Sequence, residues 1–476
     1  PQKMTCIAFV KKEVMVLIMA VLVIFFAANL LSLQRLRALE PITRGAPWVS
    51  PRPRDDLKAA KNPTNSSSTH SRSYRFPSVD KRVRLYMSDW YLPPCPVQGS
   101  QHLLRFKYEK ELRSHRVKNP RDQEPQSYDF SLADIPVDTA FSVNKGTISK
   151  CMKRHAHSGM KRYCKDVAKT VFPALESMGW NTTQDSHTIV QAPFLFQFGD
   201  HERSLMHGSY LPLPVIKKFR KSMTNEQLTL ATDGQCSSRL LSSQNIFHGI
   251  IWKLGAQRHY NRLLNIRKMD VKWRRKKKGA VFRGALTGYT RYMKHHEGSN
   301  STNSEEICMW TQRCRLVYQY ANSTLLNARL TKIKHIPNVI NGVQLTGKKM
   351  NIHELLSYKA IVFLEGNDVS SGLKWGLYSQ SVVLMPHPTF TSWAMEELLE
   401  PWVHYIPINE DLSDVEEKIR WVIDHDKEAN RISKRATQWI DDLVFHPDAN
   451  KDDQKIYQEI LRRYNYHWSH DLNDIF

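Results

Sequence analysis

The chain has 476 residues, and its 69 Lys and Arg against 46 Asp and Glu give a formal net charge of +23. Hydrophobic residues make up 41% of it, which excludes a wholly disordered protein and is enough apolar sequence for two medium-sized domains. The positive charge indicates attraction to polyanions, phosphates or anionic head groups, without choosing among them.

An uncharged apolar segment runs from Val14 to Leu33. About twenty apolar residues suffice to cross a bilayer, whereas a cleaved signal peptide, the alternative, has a shorter apolar region that ends in small residues. The following segment is rich in Pro, Ser, Asn and Arg, a composition that cannot bury a core. We therefore predict a cytosolic tail at residues 1–13, a transmembrane anchor at 14–33 and a disordered stem at 34–80.

The orientation of this anchor is predicted from glycosylation signals, because basic residues lie on both sides of the apolar segment. Tripeptides for N-glycosylation begin at Asn65, Asn181, Asn300 and Asn322, which indicates a lumenal body. The sequence ends at Phe476 without an ER-retrieval tetrapeptide, so retention by the anchor in the Golgi is favoured over the ER. The prediction is a single-pass type II protein of the Golgi or ER membrane.

Six cysteines follow the apolar segment: Cys95, Cys151, Cys164, Cys236, Cys308 and Cys314. An oxidising lumen can pair six cysteines into as many as three disulfides, and buried free thiols are the alternative. Neither a Cys-x-x-Cys pair nor a tight His/Cys cluster is present, which argues against a structural zinc site.

Apolar patterning predicts a mixed α/β body. A helix with a buried stripe is expected at residues 160–180 and a buried strand at 187–198, which ends just before Asp200. In the second half, strands at 280–284, 360–364 and 381–385, with a helix at 372–380, form a βαβ unit whose ligands gather at the carboxyl ends of the strands. Further helices are expected from Asp411, with Ser413 and Glu416 as a capping box, and at 428–443 and 453–464.

Two loops at these strand ends carry candidate phosphate and sugar contacts. Between Glu365 and Ser371, the hydroxyls of Ser370 and Ser371 can donate hydrogen bonds, Asp368 can accept one from a ribose or sugar hydroxyl, and Lys374 follows in the helix. Ordinary helix capping by Asp368 or Ser370 is the alternative. A second set of candidate phosphate contacts follows the strand at Val281: Arg283, Gly284, Thr287 and Arg291.

Two other motifs are interpreted as surface features. The basic run from Lys272 to Lys278 is typical of nuclear import or nucleic-acid binding, but the apolar segment argues against both, so we predict a solvated basic edge and no nucleic-acid partner. Asp424-His425-Asp426 has the acid-x-acid form of metal-dependent sugar transferases. It falls at the end of a helix rather than in a turn after a strand, so we expect no metal there.

Several motifs, in this order and spacing, resemble glycosyltransferase family 90, which includes the protein O-glucosyltransferases and the fungal capsule-associated xylosyltransferases. The matching segments are Phe282 to Gly288, Tyr358 to Phe363, Asp368 to Leu377, Ser381 to Val383 and Pro401 to Pro407. The resemblance implies a GT-B fold of two facing Rossmann-like domains. We assign the acceptor side to residues 81–272, nucleotide-sugar binding to 273–443, and a C-terminal helix to 444–476.

The resemblance also implies inverting transfer from a UDP-sugar without a metal or other cofactor. Asp200 matches the family's general base, although the usual Asp-Tyr-Pro or Asp-Leu-Pro is absent around it. Gly372 stands where several members carry a phosphate-binding arginine, and Arg283, Arg291 or Lys374 are the candidates to replace it.

The predicted function is transfer of glucose or xylose from a UDP-sugar to a hydroxyl of a glycan or glycoprotein acceptor. A non-catalytic glycan-binding or scaffold protein on the same fold is the alternative.

Overall fold

The computed structural model describes residues 77–93, 104–106, 129–130, 139–141, 153, 161–179, 194–197, 214–237, 248–253, 256–288, 303–334 and 336–469. The predicted tail, anchor and most of the stem lie outside these ranges, as do Asp200 and Arg291. Within the described ranges, no helix combines the length and the apolar character that crossing a membrane requires. A helix capped by Ser78 begins at Val79, next to the predicted boundary between stem and body.

The described chain is a mixed α/β structure. Its helices are α1 Val79–Met87, α2 Lys161–Ser177, α3 Asn225–Thr232, α4 Ala256–Met269, α5 Ser304–Trp310, α6 Gln312–Gln319, α7 Ile352–Leu356, α8 Leu373–Leu377, α9 Val415–Asp424, α10 Asp426–Ile440 and α11 Ala449–Tyr464. Its strands are β1 Leu104–Phe106, β2 Asp129–Phe130, β3 Thr139–Phe141, β4 Phe194–Gln197, β5 Ile216–Lys217, β6 Phe219–Lys221, β7 Ile250–Ile251, β8 Lys277–Ala285, β9 Leu326–Lys332, β10 Val339–Ile340, β11 Val343–Gln344, β12 Tyr358–Val362, β13 Val382–Met385, β14 Phe390–Ser392, β15 Ile406–Pro407 and β16 Trp468–Ser469.

Five strands of the second half form a parallel, Rossmann-like sheet in the order β15-β13-β12-β8-β9. The chain leaves β8 for β9 on one side, then returns past β8 to β12 and continues to β13 and β15 on the other side. The direction of progression therefore reverses between β8 and β12. In open α/β sheets, the crevice at such a reversal is where ligands bind.

Both faces of this sheet are buried, as expected of parallel strands. Val281, Ile361 and Val383 pack into one hydrophobic cluster, whereas their neighbours Ala280, Ala360 and Val382 pack into another on the opposite face. This alternation follows from the two-residue repeat of a strand. The predicted βαβ unit is confirmed as β12, α8 and β13.

A second sheet in the first half has the order β3-β4-β5-β7, with β4, β5 and β7 parallel. The predicted helix beside it is confirmed as α2, and its Val167, Val171, Ala174 and Leu175 are buried. The two halves are hydrogen-bonded to each other, because β6 pairs with β14 in an antiparallel ladder. Helix α11 returns to the first half, where Tyr457 stacks on Trp252 at 4.5 Å.

The predicted capping box of the helix from Asp411 is wrong. Helix α9 begins at Val415 with Asp414 as its N-cap and no side-chain capping bond. The Ser413 hydroxyl instead donates to Asp411 Oδ1 at 2.7 Å, and Asp414 Oδ1 accepts from the backbone N–H of Asn409 at 2.8 Å. These short polar side chains form turns before the helix, the usual competitor of capping.

The expected disulfides are confirmed for four of the six cysteines. Cys308 and Cys314 are bonded to each other across the junction of α5 and α6. Cys164 and Cys236 are also disulfide-bonded. Cys95 and Cys151 lie outside the described residues.

Candidate functional site

A cleft of about 630 Å³ opens at the carboxyl ends of β8 and β12, at the reversal of strand order. Its lining includes seven of the predicted donor contacts: Arg283, Gly284, Thr287, Asp368, Ser370, Ser371 and Lys374. The sequence therefore identified two of the segments that line this cleft, which we call the β8 loop, residues 286–288, and the β12 loop, residues 363–372.

The two loops approach each other through glycines. Gly288 has a φ of +87°, and a Cβ there would lie 3.0 Å from the Gly366 carbonyl oxygen. A Cβ at Gly366 would overlap the Thr287 hydroxyl. The Gly288 N–H also donates to Asn367 Oδ1 at 2.8 Å. Only glycine permits so close an approach of two backbones, so the β8 and β12 loops are in direct main-chain contact beside the cleft.

Arg313, at the start of α6, joins the two loops and was missed by the sequence analysis. Its guanidinium donates to the Ala285 carbonyl at 3.0 Å and to the Thr287 hydroxyl at 2.7 Å on the β8 side. On the β12 side it donates to the carbonyls of Leu364 at 2.8 Å and Glu365 at 3.0 Å. Most of these acceptors are main-chain carbonyls, which leave no signal in a sequence.

The β12 loop presents its hydroxyls to the cleft rather than using them as caps. Helix α8 has Gly372 as its N-cap and no side-chain capping bond, so the capping alternative for Asp368 and Ser370 is wrong. Ser370 and Ser371 are half-buried along the cleft wall. The Asp368 carboxylate instead pairs with Lys218 Nζ at 2.9 Å, a contact from the first half of the chain.

Arg283 belongs to β8, and its side chain extends over Asn327 of the neighbouring strand β9. It donates to the Asn327 carbonyl at 2.7 Å, to Asn327 Oδ1 at 2.8 Å and to the Phe282 carbonyl at 2.8 Å. Burial lowers the pKa of its guanidinium, and nearby Arg329 also lowers it, while Tyr358 acts in the opposite sense. The side chain lines the cleft, but its N–H groups are largely used within the protein.

Lys374 is also paired inside the protein. Its Nζ lies 2.5 Å from Glu396 Oε1, and the side chains of both residues are at most 3% exposed. Glu396 accepts further hydrogen bonds from the backbone N–H of Ser392 at 2.7 Å and from its hydroxyl at 2.9 Å. A buried pair with these additional bonds holds its geometry firmly, so Lys374 adds a fixed positive group to the cleft wall.

Gly372 leaves little room for a larger side chain. A Cβ there would lie 2.9 Å from Phe363 Cε1 and 3.3 Å from Trp375 Nε1, two atoms of an edge-to-face ring pair. An arginine at this position would therefore have to displace Phe363. The other two predicted site residues, Asp200 and Arg291, lie outside the described residues.

The basic run is only partly the solvated edge that was expected. Lys276 is buried, and its Nζ donates to Ser381 Oγ at 3.0 Å and pairs with Asp270 Oδ1 at 2.6 Å. Burial lowers the pKa of this lysine, although Asp270 acts in the opposite sense. Lys277 and Lys278 belong to β8 and are exposed.

Asp424-His425-Asp426 lies at the junction of α9 and α10, as predicted. Asp426 Oδ2 accepts from Trp273 Nε1 at 3.0 Å, and Oδ1 pairs with Lys359. Desolvation opposes ionisation of Asp426, but these hydrogen bonds outweigh it and lower its pKa. The motif therefore joins two helices to the sheet.

Comparison with known proteins gives the same family as the motifs. Residues 253–447 match the model of glycosyl transferase family 90. The chain is 41% identical over 91 residues to O-glucosyltransferase LpsA of Dichelobacter nodosus, which is 19% of this chain and 29% of that protein. It is 34% identical over 122 residues to protein O-glucosyltransferase 2 of Danio rerio, covering 25% of this chain and 24% of the relative.

A third relative, protein O-glucosyltransferase 3 of Homo sapiens, is 33% identical over 98 residues, or 20% of this chain and 19% of that protein. The alignments thus span less than a third of each of these relatives. The family match covers the whole parallel sheet and both loops of the cleft. Residues 253–447 of this chain are therefore similar to glycosyl transferase family 90.

Proposed function

We propose that this chain is an inverting, metal-independent glycosyltransferase that moves glucose or xylose from a UDP-sugar to a hydroxyl of a glycan or glycoprotein acceptor. The observation that carries the proposal is the cleft at the reversal of strand order, most of whose lining lies in the region that matches the family. Its volume is typical of small-molecule sites, which hold about 300 to 1,000 Å³. Three relatives named O-glucosyltransferases support sugar transfer to an acceptor.

The chemistry of the cleft suits a sugar diphosphate. The hydroxyls of Ser370 and Ser371 line the cleft and can donate to phosphate oxygens. As the bond between the anomeric carbon and the diphosphate breaks, its electron pair passes to the leaving UDP. Fixed cations and N–H groups along the wall, Lys374 and Arg313 among them, would stabilise that charge.

Asp200 is the proposed general base. It follows β4, whose last residue Gln197 pairs with Lys217 of β5. The next residue, Lys218, reaches the cleft at Asp368. Position 200 follows the end of β4 by three residues, and this closeness in sequence to the strand beside β5 supports the assignment. It would accept the proton of the acceptor hydroxyl as the oxygen attacks the anomeric carbon.

The test is release of UDP from UDP-glucose and UDP-xylose by the full-length chain and by its Asp200→Asn variant. We expect the variant to lose roughly 100- to 10,000-fold in rate, because general-base catalysis contributes that much, while its affinity for UDP stays unchanged. Asp424→Asn, at an exposed carboxylate outside the cleft, is the matched control and should keep full activity.

Wild-type turnover in the Asp200→Asn variant would remove the base assignment. A wild-type chain that neither turns over nor binds any UDP-sugar would favour the non-catalytic glycan-binding alternative.

We also propose that the protein is a single-pass type II protein of the Golgi or ER membrane with a lumenal body. The apolar segment from Val14 to Leu33 and the glycosylation tripeptides support this. Asn322 is exposed in the turn before β9, where a glycan can be attached without disturbing the sheet.

A further inference from the structure

The basic run from Lys272 to Lys278 is a sequence motif that the proposed function does not use. The structure divides it into buried and exposed side chains. Trp273 and Lys276 are buried, whereas the remaining side chains are cations exposed to solvent. We call these exposed cations the basic surface: Lys272, Arg274, Arg275, Lys277 and Lys278. The run therefore presents closely spaced positive charges on one short piece of chain.

The two buried side chains hold the run in place. Trp273 Nε1 donates to Asp426 Oδ2 at 3.0 Å. Lys276 Nζ pairs with Asp270 Oδ1 at 2.6 Å, and directly after this residue the chain enters β8. A backbone that is already fixed loses little further freedom when a partner binds, so the exposed cations are preorganised for binding.

The charge of the basic surface is not neutralised by ion pairs inside the protein. Among the described residues, none of its five cations forms an ion pair, and Lys277 lies instead over the Tyr358 ring at 5.1 Å from the centroid. Asp426 feels the charge of Lys278, but its carboxylate is already paired with Lys359. A cluster of like charges in this state attracts a polyanion.

The chemistry of the basic surface favours a polyanion that binds without apolar contacts. The aromatic residue of the run, Trp273, is buried, so the run offers no apolar side chain to a partner. Attachment to a membrane surface uses exposed apolar side chains beside the cations, and protein partners depend on aromatic and apolar anchors. A run of Lys and Arg alone is typical of nucleic-acid or heparin binding. A lumenal body, as proposed above, meets glycans and not nucleic acid.

We propose that the basic surface binds an acidic polysaccharide, a sugar chain that carries sulfate or carboxylate groups. The guanidinium groups of Arg274 and Arg275 can each form two parallel hydrogen bonds to such a group, and the lysines add charge. The site is separate from the cleft, because Lys277 precedes Phe282, the first cleft residue of β8, by five positions, or roughly 16 Å of strand. This inference rests on the proposed lumenal location and not on the transfer reaction.

The test is calorimetric titration of the full-length chain with heparin, a sulfated polysaccharide, at a series of NaCl concentrations. In the triple variant Arg274→Gln, Arg275→Gln and Lys278→Gln we expect heparin to bind roughly 10-fold more weakly, since each exposed charge contact contributes modestly and three are lost. The affinity should also depend less steeply on salt, because fewer counterions are released. All three side chains are exposed, so the free energy of unfolding should stay that of the wild type.

The matched control removes the same charge from the first half of the chain. It replaces Lys161, Lys165 and Lys169 by Gln, three exposed lysines at four-residue intervals on α2, and should bind heparin as the wild type does. Equal weakening in both triple variants would show that net charge binds the polymer, and would overturn the inference. Wild-type affinity for heparin in the first variant would overturn it as well.

Two further titrations separate an acidic polysaccharide from other partners and from the proposed function. Duplex DNA or polyglutamate that binds as tightly as heparin, at equal concentration of charge, would overturn the choice of a glycan. Titration with UDP should give the same affinity in the wild type and in the first triple variant, because the basic surface lies away from the cleft. A wild-type chain that binds heparin through the basic surface but binds no UDP would remove the proposed function and leave this inference standing.

Discussion

Arg313 shows how one side chain can fix the relative position of two ligand-binding loops. Its guanidinium reaches acceptors 28 residues back along the chain at Ala285 and 52 residues ahead at Glu365. Arginine can do this because its planar fork carries five N–H donors, whereas an ammonium carries three donors around a point charge. The charge of Arg313 therefore matters less to the cleft than its shape.

Arg313→Lys tests this interpretation because it keeps the charge and changes the shape. We expect the free energy of unfolding to fall by about 2 kcal/mol, since buried carbonyls lose their donors. The affinity for UDP should fall with it, because the loops are no longer held together. The measurements are urea denaturation and UDP titration.

The matched control is Arg420→Lys, at an exposed arginine paired with Glu416 one turn away. Such a surface pair contributes about 0.5 kcal/mol or less, so the control should be nearly neutral. If the two variants were equally stable and bound UDP equally well, Arg313 would not be what holds the loops.

At the scale of elements, packing rather than helix propensity explains the glycine inside helix α8. Gly376 lies inside it, where alanine would ordinarily gain about 1 kcal/mol. However, a Cβ at this position would overlap the ring of Phe363, which lines the cleft at the start of the β12 loop. The glycine lets the helix lie directly on that ring.

Gly376→Ala should therefore destabilise the protein, by about 1 to 3 kcal/mol for an overpacked core, despite the better helix former. The check is a double-mutant cycle in urea with Phe363→Leu, whose smaller side chain makes room for the new methyl group. We expect Gly376→Ala to cost clearly less in the Phe363→Leu background. Equal costs in the two backgrounds would show that the ring does not set the choice of glycine.

Local patterns could be predicted from the sequence, whereas contacts between distant residues could not. Strands β8, β12 and β13 were predictable because alternate residues enter opposite cores, and such runs are apolar throughout. The cleft residues were predictable because they lie at the ends of those strands or directly after them.

The positions of Lys218 and Arg313 at the cleft were not predictable, because their partners lie far away along the chain or are main-chain carbonyls. The capping box at Ser413 failed because the Ser413 hydroxyl is bonded to Asp411 and Asp414 occupies the N-cap position.

At the scale of the whole molecule, the two halves are joined at several distant points. Arg220 of β6 binds both oxygens of Glu397 at 2.9 and 2.5 Å, with both side chains buried. Helix α11 contributes Asp453, whose carboxylate accepts from Arg82 at 2.7 Å and Lys253 at 2.5 Å. The C-terminal helix α11 is therefore bonded through ion pairs to the first half of the chain.

His467, three residues beyond the end of α11, makes the contact between the C-terminal segment and the first half sensitive to acid. Its ring is buried edge to face against Trp90 at 5.0 Å, and its Nε2–H donates to the Trp90 carbonyl at 2.9 Å. Nδ1 has no hydrogen-bond partner among the described residues. Desolvation lowers the pKa of this histidine from 6.5 to about 4, although the hydrogen bond to Trp90 acts in the opposite sense. The folded protein therefore keeps the ring neutral at pH values where the unfolded chain protonates it.

The sign of the effect follows from the protons that each state binds. Between pH 6.5 and about 4 the unfolded state binds more protons at His467, so stability is complete above that window and falls as the pH falls through it. We expect the free energy of unfolding of the wild type to drop by about 3 kcal/mol more across this window than that of His467→Gln, whose amide can donate to Trp90 but does not titrate. Urea denaturation of both proteins at a series of pH values measures the difference. Parallel pH profiles would mean that the histidine is already charged in the folded protein, or that acid opens the contact between α11 and the first half before the ring titrates.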